Sequence, residues 1–250
     1  MLEVIGLEGM PDVSPGDDLG SLIADALRKS RLELRDGDIL VVSQKVVSKA
    51  QGCVVRGPDL RPSPLARELS RGTDKTPQHL EVILRNTTRI VRMDRERGIF
   101  IMETPHGFVC ANAGVDRSNV GEKEVYTALP MDPDGAAASI RKRLEDVFSL
   151  HIAVIVSDTF GRPWRRGQTD IAIGVSGLKP LMDYRGVKDP YGYELKGTMM
   201  AVADEVAGAA ELVKGKVNRI PVAVVRGTGY EAGEGTIRDL IRSKEEDLFR

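Results

Sequence analysis

Two cysteines, Cys53 and Cys110, in a chain of 250 residues exclude a disulfide framework and give no thiolate set for zinc. Aromatic residues make up only 4%, too few for the stacking platforms of single-stranded nucleic-acid binders. The net charge is −1, so the basic surplus of a nucleic-acid-binding surface is missing as well. No apolar run approaches the roughly 20 residues needed to span a bilayer. The opening MLEVIGLEGMPDV has neither the basic start nor the apolar stretch of a signal peptide. A reducing cytoplasm is therefore the expected setting. His79, His106 and His151 share no ligand spacing and read as structural or exposed side chains. What is present is ordinary for a globular protein: 41% hydrophobic and 29% charged residues, and enough chain for a large core in one or two domains.

Strands and helices alternate along the chain without a clear internal repeat. Residues 18–29 place Leu19, Leu22, Ile23, Ala26 and Leu27 on one helical face, and Asp36-Gly37-Asp38 turns the chain into a strand. That strand, Ile39 to Ser43, is expected to run on into QKVVSK. Residues 57–64 read as a Pro-rich surface turn, and Thr76-Pro77 starts a helix through Leu84 with proline at a favourable first position. Short strands at 88–93, 98–103 and 107–111 suggest an antiparallel meander. Asp132-Pro133-Asp134 opens a helix with Ile140, Leu144, Val147 and Phe148 at helical spacing. A longer helix is expected over 196–213 with Met199, Val202, Ala203, Val206 and Ala210 inward, then a strand from Pro221 to Val225 and a terminal helix from Thr236. The fold class is α+β, a two-domain mixed α/β architecture with antiparallel-rich sheets. Residues 1–86 with 196–250 form one discontinuous domain, and 87–195 form an inserted one.

The richest chemistry lies in the segment from His151 to Glu194. An apolar run, Ile152 to Val156, with the β-branched content of a buried strand ends at Ser157-Asp158-Thr159, and Gly161, Arg162, Arg165 and Arg166 follow at once. A carboxylate and a hydroxyl beside a glycine turn and three guanidinium groups suit a metal-bound polyphosphate, the acid holding a hard cation and the arginines answering phosphate. The plainer reading of the three arginines is a solvated turn. A second cluster, ANAGVDRSN from Ala111 to Asn119, gathers Asn112, Gly114, Asp116, Ser118 and Asn119 in one loop, fit for a cation or a ribose and its phosphates, or simply for a tight turn. A third, SQKVVSK, offers Lys45 and Lys49 to phosphate, although exposed lysines on a strand edge are commonplace. GTGYEAGEG (227–235) imitates a phosphate loop but lacks the Gly-Lys-Ser/Thr ending, and Glu231 and Glu234 would repel phosphate. Trp164 reads as packing before it reads as a stacking surface.

The stretches EGMPDV, DGDILVVSQKVVSKAQG, NAGVDRSN, DPDGAAASIRKRL, VSDTFGRPWRRGQTDIAIGVSG, YRGVKDPYGYEL, ADEVAGAAELVKGK and IPVAVVRG follow one another over about residues 5–228. In this order they resemble the coenzyme F420:L-glutamate ligases, in their free-standing form. The resemblance implies an intertwined homodimer in which 1–86 with 196–250 binds nucleotide and 87–195 binds metal and substrate. It implies GTP-dependent addition of L-glutamate to F420-0 through an acyl phosphate, with Mn²⁺ or Mg²⁺, and K⁺ as a further ion. By the same resemblance Asp116 and Asp158 match the carboxylates of one divalent metal, and Thr159 a ligand of a second. Asn119 matches a nucleotide contact, and Met10, Pro11, Asp12 and Val13 the N-terminal nucleotide loop. Gln44 and Lys45 fall where the family has a Ser-Thr pair touching GTP, and Lys49 on its phosphate-contacting lysine. Residues 214–220, with Lys214, Gly215 and Lys216, correspond to the final nucleotide loop, where Lys216 stands near the place of an acidic ligand of the second metal. Arg162, Arg165 and Arg166 are the expected catalytic cations. Alternative readings are a metal-dependent ligase for another carboxylate and a non-catalytic nucleotide-binding regulator.

Overall fold

The computed structural model describes residues 1–117 and 124–248. In chain order its strands are β1 (Glu3–Gly6), β2 (Ile39–Ser43), β3 (Val54–Arg56), β4 (Arg89–Asp94), β5 (Ile99–Glu103), β6 (Val109–Ala111), β7 (Val125–Thr127), β8 (Ala153–Arg162), β9 (Arg165–Ser176), β10 (Met182–Asp183), β11 (Met199–Met200) and β12 (Val222–Arg226). The α-helices are α1 (Leu19–Ser30), α2 (Gln44–Ala50), α3 (Pro64–Ser70), α4 (Pro77–Arg85), α5 (Pro133–Phe148) and α6 (Val202–Lys214). The architecture is mixed α/β with mostly antiparallel pairing, in line with the expected class.

A five-stranded sheet in the order β1-β12-β2-β8-β9 organises the molecule. β2, β12 and the first half of β8 are near-continuous apolar runs because both faces are covered there, and β2, β12 and Ala153–Ser157 of β8 are almost wholly buried. Only the β2–β8 pair is parallel, with Ile39 opposite Ala153 and Ser43 opposite Ser157. α5 packs on β8 and β9, and α6 packs on β9, β1 and β12. A second, smaller core gathers Leu69, Leu80, Ile83, Phe100, Met102 and Tyr126 under α3, α4 and the three-stranded sheet β4-β5-β6. β8 and β9, which the expected boundaries place in the inserted part, hydrogen-bond into the same sheet as β2.

Three local expectations change. QKVVSK is not strand but the helix α2, although Val46 and Val47 favour β structure. The reason is tertiary: the Gln44 amide donates to Ser48 Oγ at 2.5 Å and to the Ala128 carbonyl at 3.1 Å, and Ser48 Oγ donates to the same carbonyl at 2.7 Å. The helix expected from 196 begins at Val202, because Met199 and Met200 pair with Asp183 and Met182, and Met199 stays exposed. The proposed terminal helix is a single 3-10 turn, Ile237–Leu240, held by a reciprocal Thr236–Asp239 cap. The Pro-rich stretch is a turn as expected and leads into α3, whose Pro64 follows the N-cap Ser63.

Candidate active site

The end of the parallel β2–β8 pair sets the position of the site. Ser43 passes straight from β2 into α2, and beside it Ser157, Asp158 and Thr159 continue β8 without a break. β8 and β9 form one long hairpin with register shifts at Val156/Ser157 and Gly161/Arg162. The first shift leaves Ile173 of β9 unpaired, and β8, buried through Ser157, then presents the half-buried Asp158 and Thr159 to a cavity.

That cavity measures about 840 Å³. The N-terminal loop supplies Met10, Pro11, Asp12 and Val13 to its wall, and α2 supplies Gln44, Lys45 and Lys49. Asn112 and Asp116 enter from the turn after β6, Asp158 and Thr159 from β8, and Lys214, Gly215 and Lys216 from the end of α6. Five segments distant in sequence therefore meet there, and Asp12 ties the first loop to the last through Arg219 at 2.9 Å. Asn119 and Ser118 lie outside the described residues. Arg162, Arg165 and Arg166 are not brought in: they stand exposed at the hairpin tip around Pro163 and Trp164, where Arg162 donates to the Arg166 carbonyl at 2.9 Å. The turn sits there because β8 keeps its pairing through Arg162 rather than ending at Thr159. Trp164, 81% exposed with φ 58°, is part of that tip and not of the core. Gln44 lines the cavity, but its amide is committed to Ser48 and Ala128.

Asp158 is the electrostatically stressed group. Burial pushes its carboxyl up to about 7, and the carboxylates of Asp170 and Asp116 push in the same direction, against a backbone hydrogen bond from Thr159 and the charge of Lys45. Lys45 reaches Asp116 at 2.7 Å. Crowded carboxylates at the floor of a cavity call for positive charge, and the pair Asp116 and Asp158 suits one hard divalent cation whose remaining ligands are water and phosphate oxygens. Among the described residues no three His, Cys, Asp or Glu side chains converge.

The other half of the floor is already neutralised. Asp170 on β9, 4% exposed, accepts from Ser157 Oγ at 3.0 Å, Thr159 Oγ1 at 2.6 Å, Lys214 Nζ at 2.9 Å and Lys216 Nζ at 3.1 Å. Burial alone would raise its carboxyl, but the Lys214 ammonium and the Thr159 hydroxyl outweigh burial and hold it below the usual range. Burial lowers Lys214 despite Asp170, whereas Asp170 and Glu211 overcome burial and raise Lys216. Lys216 Nζ also donates to Thr159 Oγ1 at 2.5 Å and pairs with Glu211 at 3.2 Å. The Thr159 hydroxyl thus donates to a carboxylate and accepts from an ammonium, and a second metal there would have to displace Lys216. Asp170 and Glu211 escaped the sequence reading. The available signal was a lone acid, Asp170, ahead of the apolar run IAIGVS in a buried strand.

Comparison with known proteins adds an independent observation. The F420-0:Gamma-glutamyl ligase family profile matches residues 9–227. A coenzyme F420:L-glutamate ligase of Methanothermobacter thermautotrophicus is 43% identical, covering 100% of this chain and 99% of its own. Ligases of the same name from Methanocaldococcus jannaschii and Methanopyrus kandleri are 44% and 42% identical, again over 100% of this chain and over 97% and 99% of theirs.

Proposed function

The chain belongs to the F420-0:gamma-glutamyl ligase family, and from that premise we propose that it joins L-glutamate to coenzyme F420-0 in a GTP-dependent reaction that releases GDP and phosphate. The observation that carries the reading is one cavity in which Lys45, Lys49, Lys214 and Lys216 surround Asp116 and Asp158. A carboxylate resists attack by an amine because its carbon is not electrophilic. Phosphorylation removes that obstacle: the bond from the γ-phosphorus to the GDP oxygen breaks as a bond to a carboxylate oxygen of F420-0 forms. The glutamate nitrogen then attacks the carbonyl carbon, the C–N bond forms, the C–O bond to phosphate breaks, and the amine loses its proton. Phosphoryl transfer asks a protein for positioning and charge neutralisation more than for covalent help.

Each part of the cavity has a role in this scheme. Lys49 and Lys45 on α2 answer phosphate charge, and the Asp12–Arg219 contact holds the first and last loops together over the nucleotide. Asp116 and Asp158 would hold one divalent ion, which supplies charge neutralisation on the phosphates when bound. The Lys216 ammonium, fixed by Thr159, Asp170 and Glu211, takes the place of a second ion. The acyl phosphate is the sharpest claim to test. Incubation with F420-0, GTP, Mn²⁺ and hydroxylamine, without glutamate, is expected to give a hydroxamate of F420-0 by mass spectrometry, and adding glutamate a product heavier by one or two glutamyl residues. GTP cleavage that depends on glutamate while F420-0 stays unmodified would overturn the reading in favour of another carboxylate.

A further inference from the structure

Past Asp116 lies a smaller cavity of about 180 Å³. Asn112, Val115 and Asp116 line both cavities, and Asp74, Lys75, His79 and Arg117 form the rest of the smaller wall. His79 is 6% exposed, and its ring stacks on Tyr126 at 4.8 Å. Its backbone N–H is used by the Thr76 cap of α4, but among the described residues Nε2 has no hydrogen-bond partner. A buried ring nitrogen left without a partner is costly, and on a cavity wall that contact is open to a water or a ligand. Burial, then the nearby charges of Lys75 and Arg117, push the His79 imidazole down to about 4, so at neutral pH the ring is uncharged and offers one N–H.

The charges around that nitrogen favour an anion. Lys75 Nζ donates to the Gly98 carbonyl at 2.6 Å and keeps further hydrogens to give. Arg117 adds a planar fork suited to a carboxylate. Of the two acids on the wall, Asp116 is met by Lys45 at 2.7 Å, and Asp74 lies mostly in solvent, 3.4 Å from Lys75. We propose that this small cavity receives the side-chain carboxylate of the incoming glutamate, with Arg117, Lys75 and the His79 Nε2–H as its donors. The proposal rests on the ligase reading above. The attacking nitrogen must reach the activated carboxyl in the main cavity, and the α-carboxylate, on the same carbon, stays with it. The γ-carboxylate, two methylenes further on, is the group able to extend past the shared wall. A site that gives hydrogen bonds to a carboxylate discriminates strongly against a neutral isostere, because its donors are then left poorly paired.

The test compares L-glutamate with L-glutamine as acceptor, using F420-0 and GTP, in the wild type, Arg117→Gln and His79→Phe. Phe preserves the stacking on Tyr126 and removes the N–H, and Arg117 is exposed, so its replacement leaves the core intact. The glutamate-over-glutamine ratio of kcat/KM is expected to fall by about tenfold or more in each variant, mainly through KM for glutamate, with KM for GTP within about twofold. A ratio unchanged in Arg117→Gln overturns the subsite while the ligase reading stands, and this variant alone decides if His79→Phe does not fold. Absence of glutamylated product from the wild type overturns both.

Discussion

At the scale of single residues, the site combines one costly ionisable group with one fully compensated one. Asp158 ionises only near pH 7 because burial and two neighbouring carboxylates oppose its charge. An acid whose folded value lies above its unfolded value destabilises the fold progressively as pH rises from the unfolded value to the folded one, and the full penalty is present above it. Asp158→Asn is therefore expected to raise the Tm of the metal-free protein at pH 8 by about 3–10 °C, with the gain falling below about half at pH 5. The same change removes a ligand of the proposed divalent ion. A Tm difference independent of pH between pH 5 and pH 8 would show that the carboxyl is not shifted. Asp170 behaves oppositely, since its four donors leave it ionised. Asp116 and Asp158 stand out in the sequence among short polar residues, Asp116 in a loop and Asp158 at the close of an apolar run, and both line the cavity. Asp170 does not stand out: its partners come from β8 and from the end of α6, and no local pattern announces that meeting. The arginines stand apart from this cavity, since β8 carries them past Asp158 to the hairpin tip as it continues through Arg162.

At the scale of elements, the well-patterned pieces were legible. α1, α4, α5 and the three strands of the β4–β6 meander fall where apolar spacing and caps put them, with Asp18, Thr76 and Asp132 accepting from the first-turn amides. α2 was not, because its helical state rests on a contact with Ala128, 80 or more positions away. α5 lies close against β9. A Cβ at Gly174 would lie 2.5 Å from the backbone carbon and oxygen of Pro133, and the neighbouring Val175 amide donates to Asp134 at 2.7 Å. Backbone cannot move aside as a flexible side chain can, so Gly174→Ala is expected to cost about 1–3 kcal/mol in urea unfolding. Gly161→Ala, where a Cβ meets nothing within 4 Å, serves as the control and is expected to stay within about 0.5 kcal/mol. Equal midpoints for the two variants would show that α5 is free to slide on the sheet.

At the scale of the whole molecule, the small sheet is half covered. One face of β4-β5-β6 buries Phe100, Met102 and Cys110 in the interior. The other presents Ile99 and Val109, each more than a third exposed. Three strands with one face open, here mixing Ile99 and Val109 with Arg89, Arg92 and Glu103, are a poor unit on their own. The arm between β10 and β11 adds Val187, Tyr191 and Tyr193, all exposed. Covering such surfaces with a second copy of the chain is the economical arrangement, and it agrees with the intertwined homodimer expected from the family resemblance. A dimer is accordingly expected in light scattering at micromolar concentration. Ile99→Lys with Val109→Lys places like charges on the face that would be shared, so it is expected to shift the dimer to monomer while the far-ultraviolet spectrum stays unchanged. A wild-type monomer that retains full activity would remove the second copy from the working enzyme. A dimer unaffected by the paired lysines would place the interface elsewhere, with the exposed arm next to be tested.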